Sequence, residues 1–288
     1  MGNIGEKRLP EWLRKRVGLG HAIHSVKMGL RARGLHTVCE EAHCPNIGEC
    51  FARGTATIMM MGNRCTRACR FCAVKGGKPA PLDPQEPARV ARQVLEMGLK
   101  HAVITSVTRD DLPDGGAAHF AETALAVRDL CPETTIELLT PDFEGRAKDV
   151  ETVCRAEPAV YNHNVETVER LTPEVRDQRA SYRRSLEVLS QAREHQTEQG
   201  MVKSGFMVGL GEDDAEIDQT LSDLAHAGCD IVTIGQYLAP SREAAAVVQY
   251  VRPERFRKYE EIGLKHGIKR MFCGPLVRSS YMADKVIL

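Results

Sequence analysis

The chain has 288 residues, 42% of them hydrophobic and 27% charged, and its 39 lysines and arginines balance 39 aspartates and glutamates. That composition suits a globular protein able to bury a sizeable core, and the zero formal net charge gives no pointer to nucleic acid or an acidic membrane surface. No apolar run reaches the roughly 18 residues a bilayer span needs, and the basic start MGNIGEKRLPEWLRKR lacks a secretory signal's apolar stretch, with Glu6 where a myristoylation signal has Ser or Thr.

Residues 1–55 precede the first strand-like run and are read as an N-terminal extension. They carry Cys39, Cys44 and Cys50, spaced C-x4-C-x5-C. ATIMMM (56–61) is a short apolar run that leads directly into NRCTRACRFC, where Cys65, Cys69 and Cys72 are spaced C-x3-C-x2-C. Further β-rich runs follow at 101–107, 134–140, 159–165, 201–210 and 229–238. Between them lie amphipathic segments of helical period around 87–98, 117–130, 146–156, 180–198 and 214–227. Six strands, each followed by a helix, predict an α/β fold with a parallel sheet and right-handed crossovers, closed wholly or partly into a barrel over residues 56–251. Residues 252–288 add a helix and a tail.

The strand ends are polar or glycine-rich: GNRC, TRDDLPDGG, TPDFEG, NHNVET, GLGE and GQYLAPS. Any one is an ordinary loop. In parallel α/β barrels, however, active sites form at the carboxyl ends of the strands, so all six converge on one mouth with the cysteine loop among them.

Each cysteine triplet is one thiolate short of a four-ligand set. A cluster held by three thiolates leaves one iron open to a further ligand, so two triplets point to a redox enzyme with two clusters. Disulfides suit short secreted chains better than this one. A zinc site completed by His43 or another residue is the alternative, although paired C-x2-C ligand sets are absent. Cys131, Cys154, Cys229 and Cys273 stand singly in apolar-periodic stretches and read as buried structural thiols.

C-x3-C-x2-C after the first barrel strand, with Phe71 beside Cys72, resembles the signature of the radical S-adenosylmethionine (SAM) superfamily. CEEAHCPNIGEC followed by ATIMMMGNRCTRACRFCAV narrows this to a resemblance to the lipoyl synthase family. VITSVTRDDLPDGGAAHF, NHNVETVERLTPEVR, YRRSLEVL, KSGFMVGLGE, TIGQYLAPS and CGPLVRSSY extend it over residues 9–283. The resemblance implies a partial (β/α)6 barrel of the radical SAM type, with N-terminal and C-terminal extensions covering the barrel mouth.

It implies that Cys65, Cys69 and Cys72 hold a 4Fe–4S cluster whose open iron binds SAM. Cys39, Cys44 and Cys50 would hold an auxiliary 4Fe–4S cluster, with its fourth ligand a serine of RSSY (278–281), taken as Ser280. A serine oxygen is a harder and more labile ligand to iron than a thiolate; the bland reading of Ser279 and Ser280 is a solvated turn. The implied reaction adds sulfur at the unactivated C6 and C8 of an octanoyl chain on a carrier-protein lysine. Two SAM molecules are consumed, and the auxiliary cluster is sacrificed as sulfur donor.

Weaker assignments follow. Arg278 could balance a carboxylate or the cluster's charge, or form a surface ion pair. Asn162 and Asn164 could bind SAM or cap a turn, while His163 between them points the other way and reads as packed. Arg109, with Asp110, Asp111, Gly115 and Gly116, could shape a cofactor loop or a solvated turn. Gly209 and Gly211 permit close backbone approach, as any strand exit does. Lys203 could reach the carboxylate of SAM. Ala244 and Ala246 stand where the family has histidine and proline, and Met282 where a histidine often follows RSSY, so side-chain contacts made there are missing.

The partners implied are octanoylated lipoyl domains of 2-oxoacid dehydrogenase E2 subunits or the glycine cleavage H protein, a flavodoxin or ferredoxin reductant, and iron–sulfur carriers. Nucleic acid and membrane are not expected, and the cytoplasm is the expected location. The rival readings are another radical SAM enzyme using the first triplet for an electron relay, and a zinc-stabilised binding module.

Overall fold

A computed structural model describes residues 9–14, 21–42, 44–52 and 56–281. In chain order the elements are α1 (His21–Ala32), β1 (His36–Thr37), α2 (Val38–Glu41), α3 (Ile47–Ala52), β2 (Thr57–Met60), β3 (Arg64–Cys65), β4 (Lys75–Gly76) and α4 (Glu86–Met97). Then come β5 (His101–Ser106), α5 (Ala117–Leu130), β6 (Thr135–Leu139), α6 (Ala147–Cys154), β7 (Val160–Asn162), α7 (Thr172–Val175) and α8 (Tyr182–His195). The chain continues with β8 (Met201–Val208), α9 (Asp214–His226), β9 (Ile231–Gln236), α10 (Pro253–Lys265) and β10 (Arg270–Gly274).

Eight strands form one sheet in the order β1-β2-β5-β6-β7-β8-β9-β10. All neighbours are parallel except the edge pair β1–β2. Among the described residues β1 and β10 do not pair, so the sheet is an open, partial barrel. All six expected strands are present. Their apolar runs are buried on both faces, as in β2 and β9, which is what a parallel sheet covered by helices requires.

Two strands lie outside the expected set. β10 adds a parallel edge to β9 from within residues 252–288, where only a helix and tail were expected. Its RMFCG is only half-buried over most of its length, so it lacks the continuous apolar signal of the inner strands. β1 adds two antiparallel residues from the N-terminal extension. Both extensions therefore join the sheet edges.

The helices begin and end on local chemistry. α4 has a proline in its first turn and stops at Gly98, whose φ of 59° is left-handed. α9 opens with a capping box between Asp213 and Glu216. Buried side chains from helices and strands merge into one large core, in which Phe120 and Phe143 meet edge to face at 6.1 Å. Cys131, Cys154 and Cys229 are buried as expected, and Cys273 is half-buried on the β10 edge.

Inside the barrel, alternate residues of a strand share a face. Leu139 and Gly205 line the mouth, so Glu137 and Lys203, two residues earlier, lie directly beneath it. Lys203 Nζ donates to both Glu137 oxygens at 2.9 and 3.0 Å, and Asn162 Nδ2 donates to Oε1 at 2.7 Å. The His101 ring approaches Oε2 at 3.4 Å. Burial by itself would raise the Glu137 carboxyl, but the Lys203 charge and His101 overcome it and hold the group at about 2. A polar plug thus closes the barrel floor.

Candidate functional site

Above that floor the strand ends, the cysteine loop and both extensions enclose a cavity of about 520 Å3. Cys39 and Cys44 of the first triplet line it together with Cys65, Cys69 and Cys72 of the second. Cys50 is half-buried on α3 and packs against the core. Arg278, Ser279 and Ser280 of the tail form another part of the same wall. Residues separated by more than two hundred positions are thereby brought to one mouth, and the extensions cover it.

The second triplet sits in a loop moored to its neighbours. Arg67, between Cys65 and Cys69, is buried and donates from Nη1 and Nη2 to Asp142 at 2.9 and 2.7 Å. Its Nε and Nη2 donate to Asp110 at 3.0 and 2.8 Å. Burial would raise the Asp142 carboxyl, yet Arg67 wins and holds it at about 2. Asp177 accepts from the Ala68 N–H at 2.8 Å, and its own N–H donates to Cys69 Sγ at 3.3 Å. The Arg67 N–H donates to Cys65 Sγ at 3.4 Å. Such N–H···S bonds stabilise negative charge on a ligating sulfur.

The first triplet is tied to the tail. Thr57 Oγ1, at the start of β2, donates to Ser280 Oγ at 2.7 Å. The Thr57 N–H and hydroxyl also face the Cys39 thiol, which burial nonetheless pushes up to about 12. Asn46 Nδ2 donates to the Leu276 carbonyl at 2.7 Å, and Tyr281 OH donates to the Glu49 carboxylate at 3.1 and 3.2 Å. On β9, Gly235 has no Cβ, and one built there would overlap the Val277 carbonyl, so glycine lets the tail cross the strand end. Half-buried Arg278 lies near Cys44, and its Nη1 donates to the Val277 carbonyl at 2.7 Å.

The expected SAM contacts divide. Asn164 lines the cavity, and its buried side-chain oxygen has no hydrogen-bond partner in the protein. Asn162, Arg109, Gly209 and Gly211 lie outside the lining. Asn162 joins the floor, Arg109 is spent on Asp111 at 2.9 Å through Nε and Nη2, and Gly209 packs on Gln236. Lys203 is held by Glu137 beneath the lining. His163 is buried, bonded to the Thr140 carbonyl at 2.9 Å and Ser185 at 3.0 Å, as a packed residue should be. Between the departures at Ala244 and Ala246, the Ala245 N–H donates to the Arg70 carbonyl at 2.7 Å, and its carbonyl accepts from Tyr237 OH at 2.8 Å. Backbone atoms make these contacts, so the alanines do not loosen the cysteine loop. His43 and Met282 lie outside the described residues.

Arg67, Asp142, Thr57 and Glu166 are site residues the motifs did not single out. Glu166 lines the cavity with a φ of 69°, unusual for a non-glycine residue, and is fixed by backbone bonds to Gly205 and Met207. Burial raises its carboxyl, against the pull of Arg176 and Asn164. The only advance signal for the clamp was a charged residue inside C-x3-C and an aspartate in each of two strand-end loops.

The donor set fits iron–sulfur ligation. Five thiols of the triplets line one cavity, no disulfide joins any of the ten cysteines, and backbone N–H groups face the Cys65 and Cys69 sulfurs as they would face ligating thiolates. Among the described residues no three His, Cys, Asp or Glu side chains converge on one metal ion, so the geometry describes the walls of the site and not a closed ligand shell.

Comparison with known proteins agrees with this geometry. The Radical SAM superfamily model matches residues 59–224, and the model of the N-terminal domain of lipoyl synthase matches residues 1–44. Lipoyl synthase of Caldanaerobacter subterraneus subsp. tengcongensis is 53% identical over 96% of this chain and 96% of its own length. That of Thermus thermophilus is 50% identical over 98% of this chain and 88% of its own. Among solved structures, methylornithine synthase covers 92% of this chain and 86% of its own at 12% identity and a TM-score of 0.52. Streptococcus suis SuiB bound to its precursor peptide covers 75% and 48% at 11% identity and a TM-score of 0.57. At such identities the structural likeness concerns the fold alone.

Proposed function

The chain belongs to the lipoyl synthase family of the radical SAM superfamily, and from that premise we propose how its own residues divide the work. The reaction is insertion of two sulfur atoms at C6 and C8 of a protein-bound octanoyl group, with SAM and two 4Fe–4S clusters, one of them auxiliary, as cofactors. When bound, one cluster supplies the electron that cleaves SAM and the auxiliary cluster supplies the sulfur.

In this reading Cys65, Cys69 and Cys72 hold the SAM cluster, and Cys39, Cys44, Cys50 and Ser280 hold the auxiliary one. The single observation that carries the second assignment is Ser280 Oγ, 2.7 Å from Thr57 Oγ1, whose other neighbour is Cys39. Arg278, near Cys44, offsets the charge that accumulates there. Asn164, whose side-chain oxygen has no partner in the protein, and Glu166 beside it would accept hydrogen bonds from the hydroxyl and ammonium groups of SAM. The apolar wall from Phe71, Leu139, Met207 and Leu238 excludes water around the reacting carbon.

The acceptor proteins are octanoylated lipoyl domains of E2 subunits or the H protein. Because the chain makes no low-potential electron of its own and loses a cluster per product, a flavodoxin or ferredoxin and an iron–sulfur carrier complete the cycle. Ten cysteines with no disulfide among them favour a reducing compartment, the cytoplasm; among the described residues no helix is long and apolar enough to cross a membrane.

The test uses Ser280→Cys and Ser280→Ala. Dihydrolipoyl product from an octanoylated lipoyl-domain peptide is measured beside 5′-deoxyadenosine. Ser280→Cys is expected to keep the cluster and cleave SAM yet stall sulfur insertion, and Ser280→Ala to lose cluster or insertion. Full product from both variants would remove Ser280 from the ligand set.

A further inference from the structure

We propose that Thr57 is a positioning residue that holds Ser280 and Cys39 together as neighbouring ligands of the auxiliary site. The inference rests on the reading of Ser280 as a ligand and goes beyond it by naming what fixes that side chain.

The tail reaches the site from 223 residues away, and its backbone is secured on both flanks. Asn46 holds the Leu276 carbonyl on one side, and Glu49 accepts from Tyr281 on the other. Those contacts place residues 277–280 but leave the rotamer of Ser280 unspecified. A serine side chain has three staggered positions, and only one directs Oγ at a given iron. The Thr57 hydroxyl, 2.7 Å from Ser280 Oγ, selects it.

Thr57 suits this task for reasons on its own strand. It is buried, it begins an inner strand of the sheet, and its register is fixed against Val103 of β5. As a β-branched residue it has little χ1 freedom, so its hydroxyl is a rigid reference point. Its single hydroxyl proton goes to Ser280 and its backbone N–H faces Cys39, so one residue serves both side chains.

The test uses full-length protein in which Cys65, Cys69 and Cys72 are all replaced by Ala, so that iron bound after anaerobic reconstitution belongs to the first triplet. Loss of that iron to a chelator is followed by absorbance and iron count. Thr57→Val removes the hydroxyl and keeps the shape, and it is expected to release iron about three- to tenfold faster, the effect of one lost hydrogen bond. Thr57→Ser, which keeps the hydroxyl but not the β-branch, is expected to lose iron clearly more slowly than Thr57→Val and close to the original rate. Thr57→Ala provides a second hydroxyl-free chain if the valine variant melts early without metal. Ser280→Ala is run alongside. Faster loss from Ser280→Ala with unchanged loss from Thr57→Val overturns the role of Thr57 alone. Equal acceleration in Thr57→Ser and Thr57→Val also overturns it, because the hydroxyl would then not be what matters. Unchanged loss from Ser280→Ala overturns the ligand reading beneath it.

Discussion

Arg67 carries more of the site's geometry than its place between two cysteines suggests. Its planar guanidinium meets two carboxylates from two different strand-end loops, and its four hydrogen bonds fix the cysteine loop in direction as well as position. A lysine has the charge without the fork. Arg67→Lys is therefore expected to lose about 1–3 kcal/mol in urea unfolding of the metal-free chain. Iron retained after reconstitution should fall from about eight towards about four per chain, because only the second triplet is loosened. An iron count unchanged from the parent chain would show that the cysteine loop needs no such mooring.

At the scale of elements, β6, β7 and β8 contribute Glu137, Asn162 and Lys203 to one buried plug. Lys203 and Glu137 are both fully buried, so neither charge has water to fall back on. Lys203→Met leaves Glu137 as an uncompensated buried carboxylate and is expected to cost about 3–5 kcal/mol in urea unfolding. The double variant Lys203→Met, Glu137→Leu should recover part of that loss, because the buried charge is gone while the Asn162 amide loses its acceptor. Additive losses in the double variant would mean the strands depend on the pair for more than charge balance.

The whole molecule should be acid-sensitive in two stages. Burial holds His163 down to about 4, below its ordinary value near 6.5, so the unfolded chain takes up a proton first. Stability then falls as pH drops from about 6.5 towards 4. Glu137 and Asp142 are both held at about 2, and the stability they contribute is present above their ordinary carboxylate values and lost as pH falls through those values towards 2. Melting temperatures of the metal-free chain across pH 7 to 3 measure both stages. His163→Gln should flatten the upper stage and leave the lower one; an unaltered upper stage would locate the proton uptake at another group.

Much of this protein is written locally. The apolar runs of the six inner strands, the helical periods between them, the polar strand ends and the two cysteine spacings are short-range patterns, and each reports directly on burial or on ligand chemistry. The half-buried RMFCG of β10 and the two residues of β1 escape notice because edge strands share their burial with solvent. What pairs with what belongs to the tertiary structure. Asn162 meets Glu137 on the floor while Asn164, one step further along the same face, meets the cavity, and Arg109 is taken by Asp111 while Arg67 becomes the clamp. Ser280 is singled out by the resemblance of RSSY alone, its residues otherwise reading as a terminal turn, and the fold adds its neighbours Thr57 and Cys39. Hydrogen-bond partners hundreds of residues apart leave no periodicity in a chain, because they are selected by packing, which exists only once the sheet has formed.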